Sequence, residues 1–246
     1  MLIAFMSDIH GNHDAFDACL ADADARGVGQ YVFLGDYVGY GAEPEAVIET
    51  LEHYLADGAI AIVGNHDRAI SDSSTSMNPV ARAAIDWTRT HLSAKARTLL
   101  DRLPLTIEDQ GRLYVHADAT SPERWIYVTD SETAWNSIKA TRAQLVFCGH
   151  VHVPAVYGVT ATSKLASFKP VSGVGIPLLK QRRWLCVLGA VGQPRDGNPA
   201  ACYGIYNTEN SEMTYIRVPY DVEKAASRIR LAGLPEMLAD RLLKGR

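Results

Sequence analysis

Residues 2–10 read Leu2-Ile3-Ala4-Phe5-Met6-Ser7-Asp8-Ile9-His10, a short apolar run that ends on two side chains able to bind metal. An apolar run of this length suits a strand buried on both faces. The pattern returns twice: Tyr31-Val32-Phe33-Leu34 ends on Gly35-Asp36, and Ala59-Ile60-Ala61-Ile62-Val63 ends on Gly64-Asn65-His66-Asp67. Between the runs lie helical spacings. Phe16, Cys19, Leu20 and Ala23 fall on one face of residues 14–26, closed by Gly27 and Gly29; Val47, Ile48, Leu51 and Leu55 follow Pro44 and are closed by Gly58. Strand, polar turn and helix in succession predict an α/β fold with a largely parallel sheet covered by helices. Sites in such sheets lie beyond the carboxyl ends of the strands, where all three motifs fall.

Ser71 to Met77 is polar and reads as a loop beside the site. Asn78-Pro79 opens a helix to about His91, and Ser93 caps another reaching Leu103, so a lateral helical insertion is expected at about 78–103. From Leu105 the pattern becomes strand-like, over 105–107, 113–115, 145–148, 185–188, 202–206 and 213–218, the last two joined as a hairpin through Asn207–Ser211. This half is expected to supply a second sheet. Helical spacing returns over 221–245, broken by Gly233 and Pro235. No repeat or long linker interrupts the 246 residues, which predicts one domain over 1–246.

The net charge is −4 and no basic run occurs, so the chain lacks the electrostatic footprint of a general duplex-binding protein. A small anionic substrate would have to be attracted locally, by bound metal. Cys19, Cys148, Cys186 and Cys202 form no Cys-x-x-Cys pair and read as reduced core thiols. The apolar start lacks a charged leader region, and no run of about 18 apolar residues exists. The expectation is a cytoplasmic protein with no membrane partner.

The motifs carry the chemistry. Asp8 and His10 are two residues apart, so if extended geometry persists both point to one side and share a metal; His150 and His152 repeat that device. Asp36, directly after its strand, is placed to bridge two cations, Asn65 offers a neutral oxygen, and His116 follows Leu113-Tyr114-Val115. Alone, each is an ordinary cap or core residue. Five of the eight histidines nevertheless fall in these motifs, each behind an apolar strand. Mixed carboxylate, imidazole and amide ligands suit two divalent cations drawn from Mn, Fe, Zn, Co or Ni.

The series Asp8-Ile9-His10, Gly35-Asp36, Gly64-Asn65-His66-Asp67, His116 and Gly149-His150-Val151-His152 resembles that of the calcineurin-like metallophosphoesterase superfamily, and Val191-Gly192-Gln193-Pro194-Arg195-Asp196-Gly197 resembles a bacterial single-domain, phosphodiesterase-like branch of it. The resemblance implies a four-layer αββα sandwich with two mixed sheets and a dinuclear site where they meet. It implies that Asp8, His10 and His152 hold one metal, that Asp36 bridges, and that Asn65, His116 and His150 hold the other. His66 would stay off the metals near the scissile ester, with Asp67 orienting it. Two cations would lower the pKa of a bridging water, whose hydroxide attacks a phosphodiester or phosphomonoester, and His66 would protonate or hydrogen-bond the leaving oxygen.

Departures narrow the substrate. Gly39 and Tyr40 stand where the similar protein phosphatases carry Asp and a phosphate-binding Arg, which argues against that activity. Arg68, Arg195 and Tyr40 are candidate substrate contacts, Arg124 is a further one, and Tyr37, Trp125 and Tyr127 are aromatic residues near the ligands that could stack on a nucleobase. The expected substrate is a small phosphorylated molecule or nucleotide. Dinucleoside polyphosphate hydrolysis is the alternative within enzymes. A slow or inactive scaffold is the alternative outside them, disfavoured because every ligand of the series is present.

Overall fold

The computed structural model describes residues 1–246. In chain order the elements are β1 (Leu2–Met6), α1 (His13–Ala25), β2 (Gln30–Phe33), α2 (Pro44–Ala56), β3 (Ile60–Ala61), α3 (Asn65–Ser71), α4 (Pro79–His91), α5 (Ala94–Arg102), β4 (Thr106–Asp109), β5 (Arg112–Val115), α6 (Ser131–Lys139), β6 (Leu145–Cys148), β7 (Ala155–Thr160), β8 (Leu165–Phe168), β9 (Gly175–Pro177), β10 (Arg182–Val187), β11 (Ala201–Asn207), β12 (Glu212–Val218), α7 (Val222–Leu231) and α8 (Glu236–Lys244). A single 3₁₀ turn, Pro122–Arg124, precedes α6. No helix is long and apolar enough to cross a membrane.

Two six-stranded mixed sheets form, ordered β3-β2-β1-β11-β12-β9 and β4-β5-β6-β10-β7-β8. The alternation of side chains along each strand sorts them into layers. On β1, Ala4 and Met6 join a core with α1 and α2, while Ile3 and Phe5 face the second sheet, where Phe5 stacks on Phe147 at 4.0 Å between ring centroids. On the outer face of the second sheet Val146, Leu185 and Val187 pack with Ala134 and Ile138 of α6. Helix, sheet, sheet and helix make the four-layer αββα sandwich. Burying a side chain such as Phe5 or Phe147 contributes about 1.5–3 kcal/mol, so the intersheet layer holds the two halves of the site together.

Parallel pairing of β1 with β2, β2 with β3, β5 with β6 and β6 with β10 sends the carboxyl ends of these strands toward the site. One expectation is corrected. The hairpin β11–β12 belongs to the first sheet, not the second: β11 pairs antiparallel with β1, Ala4 opposite Ile205. Its residues are apolar on both faces, with Tyr203 and Ile205 toward the helices and Cys202 and Tyr206 toward the other sheet, which suits a central strand. In addition, α6, β7, β8 and β9 have no counterpart in the sequence reading. β8 and β9 are short sheet edges, largely open to solvent, so they lack a clear apolar period.

The helices α4 and α5 pack beside α2 and α3. The stretch 221–245 forms α7 and α8, capped at Asp221, whose side chain accepts from the Lys224 N–H. Their apolar faces meet Ala81 and Ala84 of α4 and the ring of Tyr40. The C-terminal helices therefore brace one wall of the site.

Candidate metal centre

Each motif sits just past a strand: Asp8 and His10 past β1, Asp36 past β2, Asn65 past β3, His116 past β5, and His150 and His152 past β6. Extended geometry, however, does not persist. Asp8, His10, Asp36, His150 and His152 all have left-handed backbone, with φ of 55°, 51°, 57°, 68° and 62°. Such residues cost on the order of 1 kcal/mol or more each, and they persist only where the surroundings fix them. Here they are fixed by hydrogen bonds between the loops: Asp8 N–H to the Gly35 carbonyl at 3.0 Å, His10 N–H to the Asp36 carbonyl at 2.9 Å, and His150 N–H to the Asp8 carboxylate at 3.0 Å. His150 and His152 lie in a turn and face different ligand groups.

Three overlapping groups have candidate ligand atoms within 4.8 Å of one another: Asp8, His10 and His152; His10, Asp36 and His66; and Asp36, His116 and His150. Asp36 belongs to two of them, with Oδ2 at 3.3 Å from His116 Nε2 and 3.7 Å from His10 Nε2. Asp8 Oδ1 lies 3.2 Å from His152 Nε2, and Asn65 Oδ1 lies 3.2 Å from His116 Nε2. All seven side chains are buried or at the margin of burial. Glycine permits the approach, since a Cβ at Gly64 would collide with the Asp36 carboxylate.

The imidazole tautomers test whether a cation fits. A carbonyl only accepts, so the ring nitrogen facing it must donate. His10 Nδ1–H donates to the Val38 carbonyl at 3.2 Å, His116 Nδ1–H to Leu34 at 2.7 Å, His152 Nδ1–H to Gln193 at 2.7 Å, and His150 Nε2–H to Trp125 at 3.0 Å. Each of the four rings thus gives one N–H to backbone and turns its other nitrogen inward, among carboxylates and an amide oxygen. This is the outer-shell arrangement that metal-ligating histidines use.

Burial and neighbouring charge bear on the site in opposite directions. Burial pushes the Asp36 carboxyl up, but His116, His66 and His10 together hold it well below the carboxylate range. Burial likewise opposes, and His152 overcomes, so Asp8 also stays low. Burial drives His10 well down, His66 to about 4 and His150 to about 3, so these rings stay neutral. His116 is the exception: burial lowers it, but the Asp36 and Asp8 carboxylates raise it to about 9.

Asp67 corrects the reading that it orients His66. Its Oδ2 accepts from the N–H of Asp36 at 2.7 Å and of Gly64 at 2.9 Å, and its Oδ1 accepts from the N–H of Tyr37 at 2.9 Å and Val38 at 3.3 Å. It ties the 36–38 loop to the start of α3, and so positions Asp36. His66 is held instead by packing, its Nδ1 buried without a hydrogen-bond partner against Gly39. Any side chain at residue 39 would displace that ring.

Tyr40 lies over the centre, its ring centroid 4.6 Å from His10 and 4.5 Å from His66. Arg195 caps Tyr40, its Cζ 5.7 Å from the ring, donates to Gln193 Oε1 at 3.0 Å, and leaves Nε buried without a partner. Gln193, which the sequence reading assigned no role, thus orients both His152 and Arg195; its place within the quoted 191–197 motif was the available signal. Arg68 is not brought to the ligands and lines a neighbouring cleft with Arg124 and Trp125. Tyr37 is fully buried, its hydroxyl donating to the Ile62 carbonyl at 2.8 Å, so it is core. Tyr127 stacks on His150 at 3.9 Å and is half exposed.

Comparison with known proteins agrees in family and fold. The family model described as the calcineurin-like phosphoesterase superfamily domain matches residues 1–211. An uncharacterized protein of Methanocaldococcus jannaschii is 34% identical over 253 residues, covering 100% of this chain and 98% of the relative. The crystal structure of a metallophosphoesterase from Sphaerobacter thermophilus is 35% identical, with a TM-score of 0.88 over 100% of this chain and 99% of the other. A hypothetical protein from Pyrococcus horikoshii, 21% identical, shares the fold with a TM-score of 0.79 over 100% of this chain and 98% of the other.

Proposed function

This chain belongs to the calcineurin-like phosphoesterase superfamily, and on that premise we propose that it is a hydrolase of a small phosphorylated molecule, a phosphodiester or a phosphomonoester, dependent on two divalent cations. The observation that carries the reading is the set of four imidazoles that each give one N–H to a backbone carbonyl while their other nitrogens converge on Asp8, Asp36 and Asn65. Asp8, His10 and His152 would hold one cation, Asn65, His116 and His150 the other, and Asp36 both. When bound, such a pair supplies positive charge to the phosphoryl oxygens and makes water nucleophilic near neutral pH.

The chain's own residues do the rest. His66, kept neutral by burial, offers a hydrogen bond to the leaving oxygen rather than a full positive charge. Asp67 holds the loop that aims Asp36. Arg195, with an unspent buried N–H beside Tyr40, is the group to contact a phosphoryl oxygen as charge develops there. A tyrosine at 40 in place of a guanidinium, and a glycine at 39 against His66, separate this site from that of the protein phosphatases. Residues 1–246 act as one unit in this reading, and four buried free cysteines suit a reducing cytoplasm.

The test is a turnover panel run on chelated protein reloaded with Mn, Fe, Zn, Co or Ni in turn, using p-nitrophenyl phosphate, bis(p-nitrophenyl) phosphate, cyclic nucleotides and dinucleoside polyphosphates. Metal-dependent hydrolysis of at least one supports the reading. No turnover with any metal would replace it with a scaffold role.

A further inference from the structure

Beside the metal centre, on the side of Asn65, His116 and His150, a cleft of about 680 Å³ opens between the end of α3, the loop that follows it and the 3₁₀ turn. It is within the volume of small-molecule sites, about 300–1,000 Å³. Two contacts join it to the centre. Arg68 lies one helical turn beyond Asn65, so the two share a face of α3. Trp125, with left-handed backbone at φ 53°, accepts the His150 N–H on its carbonyl and sets its indole edge-on to His116 at 5.9 Å. A ligand bound at the ligands' side of Asn65 would extend directly into this cleft.

Its lining is chemically specific. The Arg68 and Arg124 side chains make no ion pair or hydrogen bond within the chain. The carboxylate of Asp72, which also lines the cleft, accepts from the Ser74 N–H at 2.9 Å and the Ser74 hydroxyl at 2.6 Å and makes no ion pair with Arg68. Glu123 is the second acid of the lining and is exposed, so two carboxylates stand against the two guanidiniums. Hydroxyls of Ser71, Thr75 and Ser76 line the remaining wall. Two free guanidiniums beside a half-buried indole match an anion joined to a planar ring.

We infer that this cleft is the leaving-group subsite and that it takes a nucleoside phosphate, with the phosphate on Arg68 and Arg124 and the base against Trp125. The inference rests on the phosphoesterase reading and narrows its substrate to a phosphodiester or phosphoanhydride whose leaving portion carries a second phosphate. Water adds across the scissile P–O bond, its oxygen joining phosphorus while a proton goes to the leaving oxygen, so diadenosine triphosphate yields AMP and ADP with no redox partner.

The experiment compares metal-loaded wild type, Arg68→Ala, Arg124→Ala and Trp125→Phe on diadenosine triphosphate and bis(p-nitrophenyl) phosphate, whose leaving group lacks a second anion. The ratio of kcat/KM for the first over the second should fall tenfold or more in each arginine variant. Calorimetric titration of the metal-free protein with ADP, which involves no chemistry, should show binding about tenfold weaker in the same variants, with adenosine insensitive to them. Turnover of the diester with an unchanged ratio and an unchanged ADP affinity in both arginine variants would overturn the subsite and leave the phosphoesterase reading intact. Absence of diester and triphosphate turnover in the wild type would instead remove that reading. Misfolding of a variant is separated from loss of the subsite by its binding of adenosine.

Discussion

The Nε2 atoms of His10 and His152 face each other at 3.1 Å in a buried site, although both rings have given their N–H to backbone carbonyls. Between neutral rings, two lone pairs so placed repel unless a positive charge, a shared proton or a cation, lies within reach of both. Leaving a buried acceptor unsatisfied costs about 1–3 kcal/mol, and this pair is flanked by the Asp8 carboxylate as well. The loops around it, with their left-handed residues, hold the arrangement in place, and a bound cation would relieve it.

Asp36 belongs to two of the three ligand groups and lies 3.7 Å from His10 of the third, and its other oxygen, Oδ1, accepts the His66 N–H at 2.8 Å. Asp36→Asn should therefore weaken both cations, by at least the roughly tenfold to hundredfold that follows loss of a supporting contact to a metal ligand. Metal content measured after gel filtration checks this; loss of one cation with full retention of the other would contradict the shared role.

His66 stands beside the ligands with no protein partner on Nδ1. His66→Ala should keep the metal content and lose about 10²–10⁴ in kcat, the usual contribution of a positioned proton-transfer or hydrogen-bonding group. Elemental analysis alongside single-turnover rates would expose a ligand role, because metal and rate would then fall together.

Asp67→Ala leaves four backbone N–H groups without their acceptor. Burial and the adjacent Asp36 charge raise the Asp67 carboxyl to about 7, which offsets part of the gain, so the expected loss is about 3 kcal/mol. Thermal unfolding of the chelated variant should show a Tm lower by about 6–12 °C. A Tm within a degree of wild type would mean that the 36–38 loop is held by other contacts.

The His116 ring, raised to about 9 in the metal-free site by Asp36 and Asp8 against the effect of burial, carries a proton at neutral pH. Because the folded pKa lies above the unfolded one, the charged ring adds stability that is complete below about pH 6.5 and is lost as pH rises through 9. A cation must displace that proton, so affinity should climb with pH up to about 9 and then level off. Calorimetry in buffers of different ionisation enthalpy should detect proton release at pH 7 that vanishes at pH 10. No release at pH 7 would contradict the assignment.

The placement of the motif series at strand ends was legible because each motif follows a buried apolar run, and such runs announce a strand end. The way the ligands converge was not. Spacing suggested that Asp8 with His10, and His150 with His152, share a side by strand alternation, whereas left-handed turns present them, a backbone choice that no period encodes. Asp67 looked like a partner for its neighbour His66, but its acceptors are filled by amides some thirty residues earlier in the chain and by Gly64. The placement of β11 was hidden for a similar reason: an apolar strand carries no mark of which open sheet edge it will join. Trp125 and Gln193 reach His150 and His152 through backbone carbonyls, to which any residue type contributes equally.

Metal titration of the chelated protein, with bound ions counted by elemental analysis and bis(p-nitrophenyl) phosphate turnover read in parallel, tests the central claim most directly. The prediction is saturation at two ions per chain, with most of the activity returning as the second site fills. Saturation at no more than one ion, or turnover that survives complete chelation, would contradict it.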